Sequence, residues 1–203
     1  MLASPCIYLD YNATTPIDKE VADAMRPYLE FHFGNPSSAH PYGVTTKIAV
    51  ENARKQLASA LVCQTDEIIF TSGGSESNNH AIKVRISRVF YLILQNRLTT
   101  SQGYVLQHRD KGNHIVTSAF EHPAVTEVCK YLEKEHGFTV TYVPVDSEGI
   151  IDLKAFEEAI TPQTILVTVM HANNEVGTIQ PIAEIGIRYL FFQISNYLTN
   201  SCS

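Results

Sequence analysis

Hydrophobic positions recur with two different periods along this chain, and the change of period marks out its elements. Asp18 to Phe33 carries Val21, Met25 and Leu29 at spacings of four, which predicts an amphipathic helix entered after Pro16. Val44 to Leu61 repeats that period through Ile48, Ala49, Ala53 and Leu57 and predicts a second helix. Ile7-Tyr8-Leu9, Glu67 to Thr71, His114 to Thr117, Phe138 to Val143 and Thr164 to Met170 are short apolar runs that predict strands. Between them a helix is expected to begin at Ser72-Gly73-Gly74-Ser75, another to span Pro123 to His136, and a third Leu153 to Ile160. Buried strands alternating with amphipathic helices predict an α/β protein with a mostly parallel sheet, because parallel neighbours need crossovers long enough to hold a helix.

Composition narrows the picture. The chain has 203 residues, 44% apolar and 18% charged, enough for one sizeable domain or part of a larger one. Its net charge of -6 argues against non-specific nucleic-acid binding, since phosphate would be repelled. Cys6, Cys63, Cys129 and Cys202 show no paired spacing, so neither a disulfide framework nor a metal site is indicated. The longest apolar run, Val89 to Leu94, is far short of the ~20 residues a membrane helix needs. With no basic, cleavable leader ahead of Ile7, a cytoplasmic protein without a membrane partner is the expectation.

Acidic residues are unevenly spread. All 21 fall outside two stretches, Val84 to His108 and Ile185 to Ser203. Either these stretches are deeply buried, or they do not belong to the surrounding fold. Composition alone leaves both readings open. Val84 to Leu94 is expected to prolong the helix begun after Ser75, and Gln95 to His108 to form an exposed loop.

Ligands in open parallel sheets bind beyond the carboxyl ends of the strands, and three polar runs lie at such ends. The first is Thr71-Ser72-Gly73-Gly74-Ser75-Glu76-Ser77-Asn78-Asn79. Two glycines before a helix let backbone N–H groups face an anion, although a plain turn with Ser capping the helix reads the same way. The second is Ser118-Ala119-Phe120-Glu121-His122-Pro123. Pro123 suits the first helical turn, which puts His122 at a helix N-terminus, where a neutral imidazole can stack on a ring, move a proton, or only cap its helix. The third, Met170 to Thr178, sets Asn173, Asn174 and Glu175 after an apolar strand, as a hydrogen-bonding cluster or as an ordinary Asn-rich turn.

Together these residues resemble a known family. Tyr8 to Pro16, Phe33-Gly34-Asn35-Pro36-Ser37-Ser38, Phe70 to Asn78, Thr117 to Val125 and Met170 to Pro181 look like the successive signatures of the cysteine desulfurases and the similar selenocysteine lyases. The resemblance implies a class-V aminotransferase fold: the three-layer α/β large domain of the aspartate aminotransferase-like, fold type I enzymes, here incomplete, dependent on pyridoxal 5'-phosphate (PLP). It implies that Gly73, Gly74 and Ser75 hold the phosphate, that His122 stacks on the pyridine ring and assists catalysis, and that Asn174 contacts the cofactor's phenolic oxygen and the substrate. It covers residues 1–186 as a partial large domain with an atypical insert at 84–108, and leaves 187–203 as a tail unlike the family.

The resemblance also implies an aspartate and a glutamine for the pyridine ring, a lysine that bonds the cofactor, a cysteine that accepts sulfur and an arginine for the substrate. None stands at a matching position here. The expectation is therefore a protein built like an enzyme that removes sulfur or selenium from cysteine or selenocysteine, leaving alanine. This chain alone is expected to be inactive and to hold PLP non-covalently at best. The alternative is a non-catalytic fragment, from a splice variant or truncated gene, that binds PLP or dimerises, as a homodimer or with an intact family member.

Overall fold

The computed structural model describes residues 6–83 and 110–201, which fall into two units, Met1–Ile68 and Ile69–Ser203. The segments expected as a prolonged helix at 84–94 and a loop at 95–108 lie outside the described residues.

In the first unit, α1 spans Lys19–Glu30 and α2 spans Pro41–Ala60. The Asp18 carboxylate accepts from the Glu20 N–H at 2.8 Å and so starts α1 one residue later than the periodicity suggests. α2 starts three residues early because Pro41 suits a first helical turn and His40 Nδ1 accepts from the Gly43 N–H at 3.3 Å. Close backbone packing fixes the entry to α2: a Cβ on Gly43 would stand 2.4 Å from the Ser38 carbonyl oxygen. Two sequence expectations fail in this part of the chain. Ile7 to Leu9 forms no strand and Ile7 is 79% exposed; Thr65–Glu67 is a short 3-10 helix, and 68–71 joins no sheet. β-propensity makes a strand only where another strand offers its N–H and C=O groups, and among the described residues none pairs with either run.

In the second unit, helix α3 (Gly74–Lys83) precedes a three-stranded parallel sheet. Its strands are β1 (His114–Ser118), β2 (Thr139–Val143) and β3 (Thr164–Thr168), in the order β2-β1-β3. Helices α4 (Pro123–His136) and α5 (Leu153–Ala159) form the crossovers, and α6 (Ile182–Ser201) follows β3. Gly137, at φ 67°, closes α4 in the left-handed region that favours glycine, and β2 begins two residues on. β3 ends at Thr168, short of Met170, its last pairing being with Thr117 of β1.

The strand period sorts side chains into two cores. Ile115 points to one face with Val125, Val128, Cys129 and Leu132 of α4 and Ile82 of α3. Val116 and Val143 point to the other, with Phe156 of α5 and Ile185 and Tyr189 of α6. Helices thus cover both faces of the sheet in three layers, as a parallel sheet requires. A bulge between His114 and Ile115 in the β1–β3 register leaves Ile165 as an extra residue, which is why Ile165 and Leu166 both serve the α4 side. Each large side chain so buried contributes about 1.5–3 kcal/mol. α6 passes through Gly186 without interruption, and beyond it Tyr189 is buried while Arg188 pairs with Glu157 of α5.

Candidate functional site

Because the sheet is parallel, the loops after β1, β2 and β3 all leave from one end, and the second and third polar runs meet there. After β1, the buried Ser118 hydroxyl donates to Glu121 Oε1 at 2.8 Å, and Ser118 Oγ accepts from the Phe120 N–H at 3.3 Å. This tight turn delivers His122 to the N-cap of α4, where its Nδ1 accepts from the Ala124 N–H at 3.0 Å. A ring nitrogen that accepts carries no proton, so the neutral ring holds its proton on Nε2. His122 caps its helix and leaves an exposed imidazole at the sheet mouth. The capping reading is met by the bond to the Ala124 N–H.

After β3, residues 171–180 form a hairpin held by an antiparallel bridge between Ala172 and Ile179. The adjacent asparagines divide the work. Asn173 is 9% exposed; its Oδ1 accepts from the Glu175 N–H at 2.8 Å and the Val176 N–H at 3.1 Å, and its Nδ2 donates to the Phe120 carbonyl at 3.3 Å. Asn174 is exposed, its amide donating to the Glu175 carboxylate at 2.9 Å. Gln180, buried beneath the hairpin, accepts from the Ile151 N–H at 2.9 Å and donates to the Gly149 carbonyl at 2.6 Å. It joins the β3 hairpin to the turn after β2.

The first polar run lies at the start of α3. Ser75 falls inside the first helical turn and is not its cap. Ser72 holds the entry instead, its N–H and its hydroxyl both donating to Glu76 Oε2 at 2.6 Å. These bonds, the hydroxyl's foremost, hold the Glu76 carboxyl below its ordinary range. The turn is exposed, and a Cβ on either Gly73 or Gly74 would meet nothing within 4 Å. First-turn N–H groups have no partner inside their own helix, so those of Gly74 and Ser75 border open space. The structure ties the His122 and Asn174 loops to each other directly. The Gly73–Ser75 turn shares with them the packing of α3 along α4.

Glu121 lies in the second polar run and Gln180 beyond the third, but the sequence pattern gave neither a role, whereas Asn173 stood in the expected hydrogen-bonding cluster. The signal for Glu121 was an acid between a buried strand and a helix, where a solvated charge is out of place. Burial pushes its carboxyl above the ordinary value, against the opposing hydrogen bonds from the Met170 N–H and the Ser118 hydroxyl. Cys129, fully buried in α4, has its thiol pushed up to about 12 by burial, then by Glu133 and Glu121, so it is a packing residue and not a nucleophile.

Comparison with known proteins gives this arrangement a context. The family model of class-V aminotransferases matches residues 7–89 and 98–189. Cysteine desulfurase IscS of Dictyoglomus turgidum is 49% identical over 179 residues, covering 88% of this chain and 40% of the relative. Its counterpart in Methanosarcina thermophila is 48% identical, with 89% and 40% covered. A solved structure, SspA in complex with cysteine, superposes with a TM-score of 0.78 at 37% identity, covering 92% of this chain and 48% of that one. The chain thus spans about 40% of the length of the curated relatives it matches. With most of its length inside the family match and its parallel sheet shared with solved neighbours, the chain belongs to the class-V aminotransferases.

Proposed function

We propose that this chain supplies the phosphate-holding and ring-facing part of a PLP site of the cysteine desulfurase type. The observation that carries this reading is the end of the parallel sheet, where an exposed imidazole and an exposed amide stand on two loops bonded to each other. The donor set fits the cofactor. The open turn at Gly73 and Gly74, followed by first-turn N–H groups and the Ser75 hydroxyl, suits a phosphate dianion. His122 presents a ring for stacking, and Asn174 an amide for a phenolic oxygen.

When bound, PLP would supply the electron sink that lets a bond at the amino-acid α-carbon break. The chain's own residues would do the rest. Gly74 and Ser75 would fix the phosphate, His122 would stack and move a proton at Nε2, and Asn174 would orient the ring and the substrate amine. The substrate class is cysteine or selenocysteine, with alanine as the product that remains. None of Lys19, Lys47, Lys55, Lys83, Lys111, Lys130, Lys134 and Lys154 stands in a lysine motif of the family. These 203 residues by themselves would therefore hold PLP without a covalent bond and turn over neither substrate. Titrating the purified protein with PLP, dialysing, and reducing parallel samples with borohydride tests this. Dialysable PLP, unlabelled lysines and no alanine are expected. A lysine labelled one-to-one, together with alanine, overturns the reading.

A second reading, a non-catalytic fragment that pairs with itself or with an intact family member, draws support from the first unit. There Val21, Met25 and Leu29 of α1 are 50%, 44% and 78% exposed, and Phe31 and Phe33 each 70%. Light scattering of the chain alone and mixed with a full-length relative separates the cases. A single monomeric species in both excludes pairing. A cytoplasmic location accords with either reading; among the described residues no helix is long and apolar enough to cross a membrane.

A further inference from the structure

Glu121 is the residue whose environment the proposed chemistry does not explain. It neighbours His122, yet its carboxylate bonds to the protein's own Ser118 and Met170. There Oε1 accepts two hydrogen bonds, from the Ser118 hydroxyl at 2.8 Å and from the Met170 N–H at 2.7 Å, the second across 49 residues of sequence. Glu121 is partly buried, and a carboxylate drawn out of water is costly unless it accepts hydrogen bonds, which are stronger to a charged acceptor than to a neutral one. The bond to Met170 also falls just past Thr168, where the β ladder has ended and the backbone N–H would otherwise need another partner.

The contacts close a ring. The Phe120 N–H donates to Ser118 Oγ, the Ser118 hydroxyl to Glu121, and the Met170 N–H to Glu121. Three residues beyond Met170, Asn173 Nδ2 returns to the Phe120 carbonyl at 3.3 Å and to Met170 Sδ at 3.5 Å. His122 follows Glu121 directly, and Asn174 follows Asn173. The two exposed polar side chains at the sheet mouth are therefore each one residue from a partly buried cross-link. We infer that Glu121 is a positioning residue: its carboxylate locks the loop after β1 to the end of β3, so that His122 and Asn174 are presented in one fixed relation before any ligand arrives.

The inference deepens the proposed PLP site and rests on that reading only for what the fixed relation serves. A cofactor spanning imidazole and amide binds more tightly to groups already in place than to loops it must first order. Phosphate alone, held at the α3 turn, gains nothing from the lock. Groups that orient metal ligands change affinity by about 10-fold or more when removed, and an effect of that order is expected for a lock that orients His122 and Asn174.

Three forms of the full chain test it by NMR: the unaltered protein, Glu121→Ala and Glu121→Gln. In the unaltered protein the Met170 amide should exchange as slowly as amides inside β3. A Met170 amide that exchanges like its exposed neighbours overturns the inference without any variant, and that holds even where Glu121→Ala fails to fold. In Glu121→Ala the Met170 amide should exchange at least 10-fold faster and the His122 ring and Asn174 amide signals should shift together. Glu121→Gln keeps an oxygen acceptor at the same reach and should restore both. Signals unmoved in the alanine variant, or equally disturbed in the glutamine variant, overturn the inference. The same samples titrated with PLP and with inorganic phosphate should show Glu121→Ala losing about 10-fold for PLP and less than about 2-fold for phosphate. Failure of the unaltered chain to bind PLP removes the proposed cofactor, while the exchange and shift data still decide the lock.

Discussion

Two glycines of the second unit make opposite demands. Gly149 has φ 81°, and a Cβ there would stand 2.7 Å from Phe120 Cε1, so Gly149→Ala should cost about 1–3 kcal/mol in urea unfolding. Gly74 is the reverse case. Its added methyl meets nothing, so Gly74→Ala should leave stability level or raise it by about 0.5 kcal/mol, while phosphate binding weakens because the methyl fills the open turn. Loss of stability without loss of phosphate binding would reverse the role given to Gly74. His114 offers a pH test. Its Nδ1 lies 2.7 Å from Thr164 Oγ1 and its Nε2 2.8 Å from Thr141 Oγ1, which bonds it to both neighbouring strands, and burial holds its pKa below the ordinary 6.5. The unfolded chain therefore takes up this proton first as pH falls. The contribution is complete above the unfolded value, is lost as pH drops from 6.5 toward the folded value, and stays lost below it. Urea unfolding followed over that range should fall more steeply for the unaltered chain than for His114→Gln. Parallel slopes would show that the ring does not report folding.

Two of the groups proposed to face the cofactor, Ser75 and His122, stand at helix starts, which makes capping and ligand binding hard to tell apart at any one residue. His122 is both the N-cap of α4 and the proposed ring-facing group. Asn is as good an N-cap as any residue but has no imidazole, so His122→Asn separates the roles. The melting temperature should change by no more than about 2 °C, while PLP affinity falls about 10-fold. Unchanged affinity would reduce His122 to a cap. The helices expected at Pro123 to His136 and Leu153 to Ile160 were legible because each is capped locally, by His122 and by Asp152. The strand-like runs at Ile7 to Leu9 and Glu67 to Thr71 misled because a strand is a property of two segments and the pattern reports only one.

At the scale of the whole molecule, the acid-free stretch from Ile185 onward is settled in part by packing. Ile185 and Tyr189 of α6 sit in the core against Phe156, so the start of that stretch is buried in the fold. Tyr189→Ala should cost about 3 kcal/mol or more in unfolding free energy, and a change below about 0.5 kcal/mol would mark the segment as foreign to the fold. By itself the sequence determined five of the helices, the parallel α/β class, the family and the two polar runs that follow β1 and β3, since periodicity, crossover length and motif spacing are local and ordered along the chain. Tertiary structure alone decided which Asn of the pair is exposed, that Glu121 bonds to Met170, that Gln180 joins two loops, and which strand-like runs found partners. Each of those depends on groups tens of residues apart meeting in space, where burial and hydrogen bonding, not sequence neighbours, set the outcome.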